Sequence, residues 1–406
     1  MRNRSRKLAV LASIAAIGTM VGLVAPAGAG PTTLTGAQNS LGEAGSDTTF
    51  WMMNLISPQY NVNVTKNTSG PDYVTQIPPL NNAPFPAGTY DPGDDVAGPF
   101  TWTSTTPGLP SDLTPGNTPP NGSSAGITAL NNDTAGLIDF ARSSRGPNAG
   151  ETTGTSGKRF WAYALGAVDY VTFAGTHAPS AGLTQQQLIN IYTCNASGVN
   201  IGKPIISNWS QVGGTAGVIV KYIPQAGSGT RSFFQSKLLN NNVIDANCDV
   251  SHMSTSLEEH DARGVTTISK PNAIYAFDWA RWTAEGTGIE ANLRNASAVG
   301  KLGTTTSNRI LPSATTVNTT PSRFLGTRYV FNVVRVDSHP AGYTNQLKDV
   351  ENLIGVRSTA NGGAGFICSN AAAAAIKLAG FVPLTLAGSG GVGLPQSYCR
   401  LNPPAL

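Results

Sequence analysis

Three short stretches place glycine beside hydroxyl side chains where a loop turns into a helix: Gly45-Ser46-Asp47-Thr48-Thr49-Phe50, Gly122-Ser123-Ser124-Ala125-Gly126 and Gly227-Ser228-Gly229-Thr230. Apolar residues at helical spacing follow each: Trp51 and Leu55, Ile127 and Leu130, Phe234 and Leu238. The chemistry on offer is anion binding. The first N–H groups of a helix lack intrahelical acceptors, and the helix dipole adds partial positive charge at that end. Glycine lets the backbone approach a ligand closely, and Ser or Thr adds donors. Three such ends meeting at one point hold a tetrahedral oxyanion without a formal countercharge. Taken singly, each turn reads equally well as an ordinary helix cap, so everything depends on convergence.

Other reactive residue types give weaker patterns. Ser228 lies in Ala226-Gly227-Ser228-Gly229-Thr230, which lacks both outer glycines of the Gly-x-Ser-x-Gly elbow. None of His177, His252, His260 and His339 has a local setting that marks a base, so neither an enzyme nor a catalytic residue is expected. His252, Glu258, Glu259 and His260 do not follow His-Glu-x-x-His spacing and read as a solvated acidic helix. Asp91, Asp94 and Asp95 fit no standard calcium loop. No metal or cofactor is expected. Arg142, Arg145 and Arg231 carry guanidinium groups suited to bidentate oxyanion contact; the alternative is that all three are solvated or paired at the surface.

The elements that must position the turns read as α/β. Val168–Phe173, Val218–Ile223 and Tyr329–Val336 read as strands, and Thr184-Gln185-Gln186-Gln187 is a capping box opening a helix with Leu188, Ile191 and Tyr192 on its apolar face. Asn370 is placed to cap the run Ala371–Ala375, which ends before Gly380. Alternating strands and helices predict mostly parallel sheets with flanking helices. The segment 71–120 interrupts this pattern with twelve prolines, five aspartates and no Lys or Arg, which excludes long helices and reads as a surface insertion.

At the N-terminus, Arg2, Arg4, Arg6 and Lys7 precede an apolar stretch, Leu8–Val24, and the small-residue site Ala27-Gly28-Ala29. This is the pattern of a secretory signal peptide over residues 1–29, cleaved near Ala29. Without it, 22 Lys and Arg face 22 Asp and Glu, a neutral balance unlike that of a nucleic-acid binder. No later stretch is long and apolar enough for a membrane span. In an exported chain, four cysteines read as disulfides. Three pairings are open, and Cys194–Cys248 with Cys368–Cys399 is favoured because each closes within one region.

The ordered set of motifs resembles the phosphate-binding proteins of bacterial phosphate ABC transporters. Thr48-Thr49-Phe50 is similar to the family's Ala-Thr-Phe turn, and Gly122–Gly126 to its Gly-Ser-Ser/Gly-Gly-Gly turn. Asp139-Phe140-Ala141-Arg142-Ser143-Ser144 is similar to Asp-Phe-Gly-Ala-Ser-Asp, and Gly227-Ser228-Gly229-Thr230 to the end of Arg-x-Asp-Gly-Ser-Gly-Thr. Leu183-Thr184 to Trp209, and Gly264-Val265 through Ala273-Ile274-Tyr275-Ala276, follow in the family's order. The resemblance implies a two-lobed periplasmic-binding-protein-like α/β fold. Lobe 1 would span 30–167, lobe 2 would span 168–324, and 325–406 would return to lobe 1, with hinges near Ala167–Phe173 and Ser322–Tyr329.

It also implies an anion in the interlobe cleft, inorganic phosphate or a related oxyanion, bound by Thr49, Phe50, Ser123, Ser144, Ser228, Gly229 and Thr230, with Arg231 beside them. Three charged family positions differ: Ser144 stands for an aspartate, Pro224 for the arginine and Ala226 for a second aspartate. A serine both donates and accepts, so Ser144 discriminates less between protonated and fully ionised anions. The expected function is solute capture for an ABC importer by a secreted monomer, with the transporter permease as partner. The alternative is a secreted binding-fold protein kept for cell-surface or partner interaction through 71–120.

Overall fold

One long strand, β3 (Lys158–Phe173), organises the molecule. In the computed structural model, residues 43–63, 120, 122–132, 138–153, 157–193, 205–242, 244, 257–288, 292–302, 325–335, 350–355, 363–384, 399–401 and 403 are described. Residues 1–29, read as a signal peptide, almost all of 71–120, and Cys194 and Cys248 lie outside them.

The sequence KRFWAYALGAVDYVTF is an almost unbroken apolar and aromatic run. That suits a strand covered on both faces, and β3 is buried along nearly its whole length. Its first part, Lys158–Ala167, pairs with β7 (Thr327–Arg335), and Val168–Val171 pairs with β5 (Ala273–Asp278). Beyond β7 lie β2 (Phe140–Ser143) and β1 (Glu43–Gly45); beyond β5 lies β4 (Val220–Tyr222). Two short strands, β6 (Ser297–Val299) and β8 (Val382–Pro383), also pair with β3.

The expectation of mostly parallel sheets needs correction. Parallel pairing joins β1 to β2 and β4 to β5, whereas every described pairing of β3 and that of β2 with β7 is antiparallel. The chain runs out along β3 and back along β7, and a strand that returns beside its partner is antiparallel. The α/β class and the flanking helices stand.

The core divides where β3 changes partners. Residues through Leu165 pack with α1 (Phe50–Asn63), α2 (Ser123–Asn132), β7 and the C-terminal segment; residues from Ala167 pack with α3 (Gln185–Tyr192), Trp209, Phe234 and Leu238. β5 shows the two-residue period of a strand directly. Ile274 and Ala276 face this second core, while Ala273, Tyr275 and Phe277 face a smaller third one with Val171 and Phe173. At the division β3 is tied to the segment that enters β7, where Val168 N–H donates to Gly326 O at 2.9 Å.

Local signals behave as expected, with one shift. Thr184 and Gln187 form the full capping box of α3. The last helix, α6 (Asn370–Leu378), is capped by Ser369 and not by Asn370. The Ser369 hydroxyl accepts from Ala372 N–H, and an accepting oxygen must precede the first helical residue. Cys368, just before that cap, is disulfide-bonded to Cys399. The bridge ties α6 to the segment whose Leu401 pairs with Trp161 of β3. Among the described residues, no helix is long and apolar enough to cross a membrane.

β1 opens on a buried carboxyl. Burial pushes Glu43 up to about 7 from 4.5, against the opposing pull of Arg142. In the unfolded chain this group ionises near 4.5, so its stability contribution is intact below that pH and is lost as pH rises through about 7. Glu43→Gln should therefore raise stability at pH 8 by roughly 3 kcal/mol and leave pH 4 nearly unchanged. Urea melts at the two pH values check this. An equal shift at both would assign the effect to packing and not to ionisation.

Candidate functional site

All three glycine–hydroxyl turns do open helices. In the first, a 3-10 turn at Asp47–Thr49 leads into α1; in the second, Ser123 is the first residue of α2. In the third, Ser228 caps the short α4 (Gly229–Phe233) by accepting from Arg231 N–H at 3.0 Å. Gly122 and Gly227 adopt φ of +89° and +86°, a region that glycine enters without strain, and Ser124 N–H donates to Gly227 O at 3.2 Å. The second and third turns, a hundred residues apart in sequence, thus touch backbone to backbone.

The turns meet between the two halves. Ser123 Oγ lies 3.3 Å from Ser144 Oγ and accepts from Ser144 N–H at 3.0 Å. Gly229 packs directly on this pair: a Cβ built there would overlap both hydroxyl oxygens and come 3.0 Å from Ser144 carbonyl carbon. Thr230 Oγ1 lies 3.4 Å from Thr48 Oγ1. Ser123, Ser144, Ser228, Gly229 and Thr230 are therefore brought together and buried.

Thr49 and Phe50 are used differently. The Thr49 hydroxyl donates to Ser46 O at 3.4 Å within its own turn, and Phe50 N–H donates to Asp47 O. Thr48, not Thr49, reaches the other half. A threonine pair offers no sequence signal for which member faces outward.

The arginines correct the surface reading. Arg142 is buried; it donates to Ser46 O at 3.0 Å and Gly45 O at 2.9 Å, and its guanidinium lies 5.2 Å from the Phe50 ring centroid. It fixes the first turn onto β2. Arg145 is buried as well and makes a bidentate pair with Glu151 at 2.8 Å for each bond. Arg231 is partly buried, which pulls its pKa down, and it donates to Pro224 O at 3.3 Å.

The expected solvated acidic helix at 258–260 is also corrected, while His252 lies outside the described residues. Glu258, Glu259 and His260 are buried and form no helix. Backbone bonds to the strands hold them in place: Leu257 N–H donates to Ile223 O at 2.9 Å, and Asp278 N–H to Glu259 O at 3.1 Å. The Glu259 carboxyl accepts from the Thr48 hydroxyl on one oxygen and the Ser228 hydroxyl on the other. Burial first, and then the neighbouring Asp47 carboxyl, push its pKa well above the usual range. Asp47 also contacts His260 Nδ1 at 3.2 Å and accepts from Gln225 Nε2 at 3.4 Å. Among the described residues, no group of three or more His, Cys, Asp or Glu is placed to hold a metal ion.

Positive charge comes from two residues that carried no motif. Arg328, at the start of β7, donates through Nη2 to Thr230 Oγ1 at 2.8 Å and pairs with Asp278 Oδ2 at 2.6 Å. Arg281, in α5 (Trp279–Thr287), donates to Asp47 O at 2.8 Å. Both are 1% exposed, so their charges act undiluted by water. Neither lies in a sequence motif: Arg328 stands one residue before the strand read at Tyr329–Val336, and Arg281 falls in a stretch with no marked pattern. Their role appears only when β3, β5 and β7 are in register.

The model of a PBP superfamily domain matches residues 101–346. The chain is similar to an ABC-type phosphate transport receptor from Vibrio cholerae, with 17% identity over 84% of this chain and 99% of that one and a TM-score of 0.46. It is similar to PstS from Borrelia burgdorferi, with 15% identity over 85% and 99% and a TM-score of 0.41. A phosphate-binding protein from Stenotrophomonas maltophilia gives 14% identity over 87% and 91% and a TM-score of 0.39. No curated protein matches the sequence.

Proposed function

The chain belongs to the PBP superfamily, and on that premise we propose that it is an exported monomer that captures an oxyanion, inorganic phosphate first, for an ABC importer. One observation carries the reading: hydroxyls from four separate stretches, Thr48, Ser123 with Ser144, and Ser228 with Thr230, gather at one buried place beside Arg328. Hydroxyls and a guanidinium are what a tetrahedral oxyanion needs, and burial makes each bond stronger than in water.

Capture needs opening and closing. Among the described residues, β3 runs through both halves, changing partners at Ala167–Val168, and the segment that enters β7 meets it there at Gly326–Thr327. We take these two places as the hinges, with lobe 1 formed by 30–167 and 325–406 and lobe 2 by 168–324. A bound anion satisfies donors from both lobes and so favours the closed form.

The test is calorimetric titration of phosphate and then sulfate into chain 30–406 freed of ligand by unfolding and refolding. Phosphate should bind, and at 100 times its dissociation constant it should add about 2.7 kcal/mol of stability. Ser123→Ala and Thr230→Ala should each weaken binding at least tenfold while the fold persists. A response unchanged in both variants would place the ligand elsewhere; no response to either anion would sink the oxyanion reading.

A further inference from the structure

The hydroxyls that would grip an anion already grip a carboxyl. Thr48, from the first half, and Ser228, from the second, each donate to a different oxygen of Glu259. The two oxygens of a carboxyl are spaced much like two oxygens of a tetrahedral anion. Glu259 belongs to the second half, so its bond to Thr48 also spans the division. Arg328 stands alongside with its bonding unfinished: Nη2 serves Thr230 and Asp278, whereas Nε and Nη1 are buried without an acceptor. Buried guanidinium N–H groups cost free energy until an acceptor arrives.

We infer that Glu259 is the internal occupant of an anion subsite made by Thr48, Ser228 and Arg328, and that an incoming oxyanion binds by displacing its carboxyl. This rests on the oxyanion reading above and names the residues of its charged subsite. Arg328 supplies the charge that the third turn lacks at Pro224. Thr48 and Ser228 exchange one acceptor for another, and the two spare N–H groups gain one. Those two bonds are what the external anion has and Glu259 lacks, and they decide the exchange.

Displacement moves a proton. The groups facing Glu259 are Asp47 of the 3-10 turn, Arg328 of β7, Ser228 at the cap of α4 and Tyr275 of β5, with Glu258 and His260 in its own segment and Arg281 of α5 reaching Asp47. Burial and Asp47 raise the Glu259 pKa more than Arg328 and Ser228 lower it, so the buried carboxyl holds its proton to higher pH than it would in water. Once released into water it ionises in the ordinary carboxylate range. Glu259–COOH becomes Glu259–COO⁻, and the proton goes to the buffer.

The experiment titrates sulfate and phosphate into the wild-type chain, Glu259→Gln and Glu259→Ala at pH 7, in two buffers of different ionisation enthalpy. Sulfate carries no proton at this pH, so its proton count comes from the protein alone. We expect Glu259→Ala to bind at least about tenfold tighter. We expect the wild type to release more protons than Glu259→Gln. Melting temperatures establish that the variants are folded, and if Glu259→Ala is not, the near-isosteric Glu259→Gln decides through the proton count. Equal proton release in wild type and Glu259→Gln, or unchanged or weaker binding in folded Glu259→Ala, overturns the inference while leaving the oxyanion reading intact. Absence of binding in all three chains overturns both.

Discussion

Replacing Arg328 with Met is expected to lower stability by about 3–5 kcal/mol, because it leaves Asp278 as an uncompensated charge in a buried place. Arg328 and Asp278 are 1% and 0% exposed in their side chains and meet at 2.6 Å. Asp278 cannot escape to water. It terminates β5 and caps α5 by accepting from Arg281 N–H at 2.9 Å, so moving it would unravel a helix start. The double variant Arg328→Met/Asp278→Asn removes the stranded charge and keeps an accepting oxygen for the cap, and it should regain more than half of the loss. Urea denaturation of wild type, both single variants and the double variant closes the cycle. A single-variant cost below about 1 kcal/mol would mean that Asp278 is well solvated and that the pair does little for the fold. Arg328→Lys separates stability from binding: it keeps the charge, yet it loses the planar fork that reaches Thr230 and Asp278 together, and anion affinity should fall at least tenfold.

The same cluster shows why sequence revealed one part of the site and not another. Ser123, Ser228, Gly229 and Thr230 were legible because a helix start has a local grammar: glycine, a hydroxyl, then apolar residues at helical spacing. Glu259 and Arg328 have no such grammar. Glu259 sits in an irregular segment, and its depth is set by backbone bonds of that segment to Ile223, just after β4, and to Asp278 of β5, both remote in sequence. Arg328 stands one residue before the strand read at Tyr329–Val336, and it meets Asp278 because β3 pairs with both β5 and β7 at adjacent positions. The fold divides in the same way. Val168–Phe173 announced a strand, but its continuation back to Lys158 was silent, since a continuous apolar run fits a buried helix as well as a buried strand. The parallel or antiparallel sense of each pair was also unreadable, because it depends on where the chain returns and not on local residues.

Gly229→Ala is expected to abolish closure while sparing the fold. Within α4 the substitution is favourable by itself: no positive φ is found at Gly229, and alanine in a helix gains roughly 0.5–1 kcal/mol over glycine. The obstacle is across the division, where the new methyl would overlap Ser144 Oγ and Ser123 Oγ and press on the Ser144 backbone. Ser123 cannot yield, because its hydroxyl receives Ser144 N–H and its helix packs under β1 and β2. Nor can Ser144 yield without dragging β2. The second and third turns must then stay apart, and the anion loses donors from one lobe. Affinity for phosphate should fall at least a hundredfold, with a melting temperature for the free protein equal to or above that of the wild type. Small-angle scattering should show no compaction on adding phosphate. Wild-type affinity in Gly229→Ala would show that the third turn does not close over the ligand. A collapse in melting temperature without ligand would show that the two turns are a permanent contact, a fixed joint between the halves and not the jaws of a cleft.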